Sequence, residues 1–390
     1  MSTRPRITRV VLENFKNIAF CDVRLGPLTF LVGPNGSGKS NFLQALLQPS
    51  ALLTEPDLAR IGLGAVLRKG APKGSVLGIR VEVQAEGWSG VYVNRGDPDR
   101  PDTLQEECHV SGPAGHTASY TVSGSRIEVV GMVRPPKRTN PRIYLSSLSG
   151  HPDFAPLYEA LADQMAFYDF DMGALRMAHF DGGESNRHLH LAGAFLGSAI
   201  GRLSREQPRV WERIKEYLHM INPAVEDITI AEAADLRVPV FQPLGLSAQN
   251  MSDGTLRALA TLVALFQSVD GGPSLSFVGL EEPETAIHPG ALAVLLDAMQ
   301  EASLSVQVAA TSHSADLLDN KDIPTESLLA FEEIDGVAHI GAVDAAGRQI
   351  LKQRLFTPGE LMRMGQLHPE FNGQAESEIE SILFSPAVVQ

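Results

Sequence analysis

Residues Ile7 to Leu12 alternate apolar and polar side chains, the period-two pattern of a half-buried strand. A continuous apolar run from Leu28 to Val32 ends in a glycine-rich turn, and Ser40 to Leu47 takes up helical spacing. From about Val76 to Val130 the character changes. Short β-prone runs at Val76–Val83, Gly90–Asn94, Tyr120–Val122 and Ile127–Val130 are separated by Gly, Pro, Asp and Asn, which predicts an antiparallel meander followed by a loop from Val133 to Pro141. Pro156–Phe167, Leu189–Leu203 and Pro208–Ile221 have helical spacing. The last third returns to α/β alternation: a helix from Asp253 to Val269 capped by Ser252, a strand from Leu275 to Leu280, a helix opened by Pro289 and ending near Glu301, then strands at Ser305–Ala310 and Leu328–Glu333. The tail from about Ala345 carries no readable pattern, and no repeat or sustained heptad is present.

The turn between the second strand and the first helix reads Gly33-Pro34-Asn35-Gly36-Ser37-Gly38-Lys39-Ser40-Asn41 and matches G-x-x-x-x-G-K-[ST] in full. Glycines let the backbone approach a phosphate, and the loop N–H groups converge at the positive end of the following helix. Lys39 supplies a point charge to the β- and γ-phosphates, and Ser40 a hydroxyl for Mg²⁺. This arrangement predicts binding of ATP with Mg²⁺, with Gly33, Asn35, Gly36, Ser37, Gly38, Lys39, Ser40 and Asn41 around the phosphates.

The strand from Leu275 runs into Glu281-Glu282-Pro283-Glu284. Carboxylates at the C-terminal end of a buried strand sit where α/β sheets bind ligands, so Glu281 is a candidate metal residue and Glu282 a candidate base for an attacking water. By themselves they would equally suit an acidic helix start. His313 follows the next strand, placed to sense a γ-phosphate; a lone histidine is more often a capping or surface residue. Ser252 and Gly254 open a helix whose start can hold an anion, although in isolation the pair is a good N-cap. His179, His188 and His190 lack a metal-ligand partner at useful spacing.

Composition narrows the setting. The chain has 390 residues, 44% of them hydrophobic, enough for a packed core. No apolar run reaches the length of a membrane span, the N-terminus lacks a signal-peptide core, and the two cysteines, Cys21 and Cys108, are far apart. A cytoplasmic protein without a membrane partner is expected. A net charge of −14 argues against bare phosphate backbone as the main partner. The basic run Arg134, Lys137, Arg138 and Arg142 keeps DNA open as a partner, its alternative being a solvated loop.

The order phosphate loop, serine-glycine helix start, Glu-Glu strand end and histidine resembles the RecF, SMC and OLD group of ABC-class ATPases, which are AAA-type ATPase-domain proteins. Leu12-Glu13-Asn14-Phe15-Lys16-Asn17 looks like the group's opening strand, Ser252-Asp253-Gly254-Thr255-Leu256-Arg257 like its signature, Glu281 to Glu284 with His288-Pro289 like its Walker B and D-loop, and Thr311-Ser312-His313-Ser314 like its switch histidine. The resemblance implies an α/β P-loop NTPase fold: an ABC-type head with a mixed central sheet, an antiparallel β subdomain and a helical insert. It divides into residues 1–180 and 246–345 as the two halves of the head, 181–245 as a helical subdomain and 346–390 as a tail. It further implies that Lys39, Glu282 and His313 act in hydrolysis, and that heads pair as a homodimer or higher even oligomer, with Ser252 and Gly254 of one meeting the ATP of the other.

Glu281 stands where many members carry Asp. The family's Q-loop glutamine has no clear counterpart; Leu145–Leu148 occupies a suitable place with serines, and Gln164 is a weak substitute. The expectation is a head without a coiled-coil arm or a Toprim nuclease domain. The expected role is a switch ATPase acting on a separate effector, a nuclease or toxin, in anti-phage defence or genome maintenance. A RecF-like DNA-binding repair ATPase and a nucleotide-binding scaffold with little turnover are the alternatives.

Overall fold

The computed structural model describes residues 4–54, 63–72, 74–98, 100–130, 136–137, 143–177, 179–180, 189, 191–233, 236–267, 275–370 and 376–386. Of the basic run, Arg134, Arg138 and Arg142 lie outside the described residues, as do His188 and His190. In chain order the strands are β1 (Arg6–Phe15), β2 (Ile18–Arg24), β3 (Leu28–Val32), β4 (Leu77–Ala85), β5 (Trp88–Asp97), β6 (Arg100–Ser111), β7 (Thr117–Ser123), β8 (Arg126–Val130), β9 (Met165–Tyr168), β10 (His179–Phe180), β11 (Asp227–Ala233), β12 (Leu236–Gln242), β13 (Leu246–Ser247), β14 (Phe277–Leu280), β15 (Gln307–Ser312), β16 (Leu328–Ile334) and β17 (Val337–Ala342).

Thirteen of these form one mixed sheet in the order β8-β7-β6-β5-β4-β1-β2-β17-β16-β3-β15-β14-β9. The stretch from β16 through β3, β15 and β14 to β9 is parallel, and β4 to β8 with β1 and β2 form the antiparallel part. The mixed sheet and antiparallel subdomain expected from the sequence are present. Strands β10 to β13 make a small second sheet beside helices Leu196–Glu206 and Pro208–Ile221.

Every residue of β3 is buried, as a parallel strand covered by helices on both faces requires. Leu31 of β3, Ala309 of β15 and Phe277 of β14 face one core, shared with Phe42 and Leu46 of the helix Lys39–Thr54. Phe30, Val32, Val308, Ala310 and Val278 face the other, shared with Leu259 and Val263 of the helix Asp253–Phe266 and Leu295 of the helix Leu292–Ser303. The phosphate-loop helix and the signature helix therefore cover opposite faces of the sheet.

Several elements differ from the sequence expectation. The first helix does not stop at Leu47 but continues through Pro49 to Thr54, where Pro49, Leu52 and Leu53 are buried. Their packing offsets the roughly 3 kcal/mol that an interior proline costs. The helix expected to reach Phe167 ends at Ala162, and Met165–Tyr168 is the edge strand β9. Strand β6 escapes the period-two pattern because its inward positions include a carboxylate: Glu106 is buried beside Cys108 and Val110.

Glu106 is paired. Its carboxylate accepts from Tyr120 Oη at 2.7 Å, Tyr144 N at 2.6 Å and Leu145 N at 3.1 Å. It thereby anchors the turn Leu145–Leu148, where Ser146 Oγ donates to Leu53 O at 3.2 Å at the end of the first helix. The described residues of the tail include helices too. The helix Glu376–Leu383 lays Ile379 and Leu383 on Val11, Val91 and Val93, and the buried Arg80 donates to Leu383 O at 2.7 Å and Ser385 O at 2.8 Å. No helix among the described residues is long and apolar enough to cross a membrane.

Replacing Glu106 with Ala would strand a buried hydroxyl and two buried N–H groups, each costing about 1–3 kcal/mol. Glu106→Ala is expected to lower unfolding free energy by at least about 3 kcal/mol, measured by urea denaturation; an unchanged midpoint would show that the turn holds without it.

Candidate nucleotide site

Strands β9, β14, β15, β3 and β16 run parallel, and their C-terminal ends form one edge. Pairing of Leu280 with Ala310, and of Ser312 with Val32, brings the ends of three neighbouring strands to similar levels. This is where open α/β sheets take ligands. Gly33 leaves β3 so close to β16 that a Cβ there would lie 2.2 Å from Phe331 O. Only glycine fits, so the turn into the phosphate loop depends on this residue.

Within the loop, Ser37, Gly38 and Lys39 are buried, whereas Pro34, Asn35, Gly36 and Ser40 are exposed. Lys39 Nζ donates to Gly33 O and Pro34 O, each at 2.8 Å, so the loop curls around the ammonium. An ammonium has three donors, and one remains for a phosphate oxygen. Burial lowers the Lys39 pKa, opposed by attraction from Glu282, Glu281 and Glu284. Asn41 Nδ2 donates to Asn17 Oδ1 at 2.8 Å, and Asn17 Nδ2 reaches Gly36 O at 3.5 Å. Asn17, in the turn between β1 and β2, is thus a brace for the loop. It lay in the opening motif but had no reading of its own, because its contact spans 19 residues to Gly36.

The carboxylates gather at the same edge. Ser40 Oγ is hydrogen-bonded to Glu281 Oε1, so the longer side chain at 281 reaches the loop serine directly. Burial raises the Glu281 pKa, and repulsion from Asp169 and Glu282 adds to this, while hydrogen bonds to Ser40 and Thr311 oppose it. Ser40 and Glu281 provide the hard oxygen donors that Mg²⁺ takes. Glu282 has a left-handed backbone (φ 41°) and its N–H donates to Thr311 Oγ1 at 3.0 Å. That turn points its carboxylate at the histidine: Glu282 Oε1 is 3.0 Å from His313 Nδ1. Glu284, buried behind them, accepts from Ser312 Oγ at 2.7 Å, and burial raises its pKa.

Neither sequence candidate for the Q-loop position lies at the acidic edge. Gln164 lies at the N-terminal end of β9, where its carbonyl accepts from Ser276 N and Phe277 N, and Ser146 bonds the far end of the first helix. The residue that follows the C-terminal end of β9 is Asp169, close enough to Glu281 to perturb its ionisation. Sequence periodicity concealed it, because β9 was absorbed into a helix.

Ser252 and Gly254 belong to another group. Ser252 is exposed and caps the signature helix, accepting from Thr255 N at 3.4 Å. Gly254 packs on the turn after Glu284: a Cβ there would lie 2.1 Å from Ala286 O. The phosphate loop, Glu281, Glu282 and His313 come together within one chain, whereas Ser252 and Gly254 stand on the helix of the opposite sheet face.

The mixed sheet, with the glycine-rich loop between β3 and the first helix at its edge, has the α/β P-loop architecture expected from the sequence. A family model described as "AAA domain, putative AbiEii toxin, Type IV TA system" matches residues 28–81 and 200–319. The DNA replication and repair protein RecF of Vibrio vulnificus is 46% identical over 41 residues, 10% of this chain and 11% of the relative. That of Magnetococcus marinus is 38% identical over 68 residues, 17% of each chain. The matches thus span only a small part of these relatives' length. Among solved structures, the SMC head domain from Thermotoga maritima aligns at 14% identity over 87% of this chain and 100% of that one, with a TM-score of 0.41. The Smc head from Pyrococcus furiosus, with an extended coiled coil and bound to the C-terminal domain of ScpA, aligns at 14% identity over 90% and 99%, with a TM-score of 0.49. The family-model match and the short RecF matches support the expected resemblance to the RecF and SMC group of ABC-class ATPases.

Two outcomes follow from this geometry. Gly254→Ala drives a methyl group into Ala286 O and is expected to cost about 1–3 kcal/mol, read from thermal or urea unfolding. A carboxyl held above its ordinary range binds its proton more tightly when folded, so its stabilising effect at low pH is lost as pH rises from the ordinary range through the raised one. Glu284→Gln removes that loss. The Tm of the variant minus that of the parent should grow more positive between pH 5 and pH 8, and a difference independent of pH counts against the assignment.

Proposed function

We propose that the chain binds Mg·ATP in the phosphate loop and hydrolyses it, with two copies closing head to tail around the nucleotides. The observation that carries this reading is the paired contact of Ser40 with Glu281 and of Glu282 with His313, which gathers three strand ends around the loop. Ser40 and Glu281 would hold Mg²⁺, whose charge offsets that of the phosphates. Lys39 directs its remaining donor to the β- and γ-phosphate oxygens, and the loop amides from Asn35 to Asn41 surround them. Glu282 takes the proton of the water that attacks the γ-phosphorus, and His313, bonded to that carboxylate, orients it and meets the γ-phosphate. ATP and water give ADP and phosphate. Ser252 and Gly254 of one copy contact the γ-phosphate bound by the other, and its loss removes the contact that favours the closed pair.

The pairing is supported by the position of the signature helix on the face away from its own phosphate-loop helix. We further propose that closure switches a separate cytoplasmic effector, a nuclease or toxin, in defence or genome maintenance. The toxin–antitoxin description of the matching family and the net charge of −14 support that reading. The RecF matches favour a second reading, in which duplex DNA is bound directly.

Glu282→Gln is expected to keep ATP, to turn over about 10²–10⁴-fold more slowly, and to accumulate dimers or higher even assemblies in light scattering. Turnover at the parent rate would remove Glu282 as the base. Lys39→Ala is expected to lose nucleotide in equilibrium binding. Should duplex DNA raise turnover, with binding that weakens steeply with salt, the RecF-like reading displaces the effector switch.

A further inference from the structure

The segment after β9 ties the acidic edge to the signature loop. At its start, Glu281 N donates to Tyr168 O at 2.9 Å. Asp169 N and Asp171 N then donate to Leu191 O at 3.2 Å and Ala192 O at 3.0 Å, and Phe170 O accepts from Arg257 of the signature helix at 3.1 Å. Asp171 caps the short helix Met172–Arg176 through Ala174 N at 2.7 Å, and Leu175 is buried against Gly193. The strap ends in Arg176. One guanidinium there donates to Gln249 O at 3.1 Å and to Met251 O at 3.1 Å, and pairs with the Asp253 carboxylate. These acceptors bracket Ser252, whose hydroxyl caps the signature helix.

From this geometry we infer that Arg176 is a positioning residue for Ser252 and Gly254: it holds residues 249–253 in the shape that receives a nucleotide carried by a second copy of the chain. The inference rests on the head-to-tail reading above. A planar guanidinium carries five donors in a fixed fork, and the spread of two carbonyls and a carboxylate uses that fork. An ammonium, with its donors at a single point, cannot span them. Because the strap begins at the backbone of Glu281, a displacement at one nucleotide edge is carried along a packed, hydrogen-bonded segment to the loop that meets the other nucleotide. Arg176 acts through this loop, whose residues 249–253 stand apart from the phosphate loop of the same chain, so it leaves nucleotide capture by a single head alone.

The test uses the full chain in the Glu282→Gln background, with Mg·ATP as the probe. Light scattering against protein concentration gives the midpoint of self-association, and titration with a fluorescent ATP analogue at low protein concentration gives single-head affinity. Arg176→Ala and Arg176→Lys are each expected to raise the association midpoint about tenfold, with single-head affinity within about twofold of the parent. The lysine variant keeps charge and stem, so it remains informative if the alanine variant folds poorly. Association at the parent's concentration in either folded variant overturns the inference, as does an equal loss of single-head affinity. If the parent itself stays monomeric with Mg·ATP, the head-to-tail reading fails, and this inference fails with it.

Discussion

Strands β14, β15 and β3 lie side by side, run the same way and end within a residue or two of each other. Backbone hydrogen bonds set that register, and a slip of one residue would turn every side chain to the other face. The buried faces forbid such a slip: β3 and β15 are buried at every position, and their alternate residues feed two separate cores. With the register locked, the phosphate loop, Glu281, Glu282 and His313 emerge beside each other without long connecting loops. The ammonium of Lys39 then sits among carboxylates, which offset part of what its burial costs.

Close approach of backbones is the second constraint. Gly33 lies against Phe331 O and Gly254 against Ala286 O, so strand β16 is fitted to the phosphate loop, and the turn after Glu284 to the signature helix. Close contact of this kind fixes each loop against its neighbouring element, since packed elements shift as bodies rather than deform. The strap from Tyr168 to Arg176 is a second link between the same two places.

The antiparallel half serves this arrangement from behind. Glu106 anchors the turn that holds the far end of the phosphate-loop helix, and the helix Ala155–Ala162 accepts a further bond from Ser50 Oγ at 2.9 Å. The C-terminal helix covers the outer face of β1, β4 and β5 and shields Arg80 from water. A buried cation needs such partners, and here helix carbonyls and Glu82 supply them.

The chemistry of the phosphate loop, the Glu-Glu strand end and the order of the motifs could be read directly, because each is local: a strand, a turn and a helix start lie within about ten residues. The buried parallel strands were legible for the same reason, as continuous apolar runs. What remained hidden depends on contacts across long stretches of chain. Strand β6 disguised itself by burying Glu106, and β9 merged with a helix because a four-residue strand is too short for its period to speak. The tail helix Glu376–Leu383 read as featureless, since its apolar face has meaning only against Val11, Val91 and Val93. Residue types and local spacing therefore determined which groups could handle a triphosphate. Only the tertiary structure decided that Asn17 braces the loop, that Asp169 lies near enough to Glu281 to act on its charge, and that Arg176 bonds residues 249, 251 and 253, because those relations come from strand pairing and helix packing between residues remote in sequence.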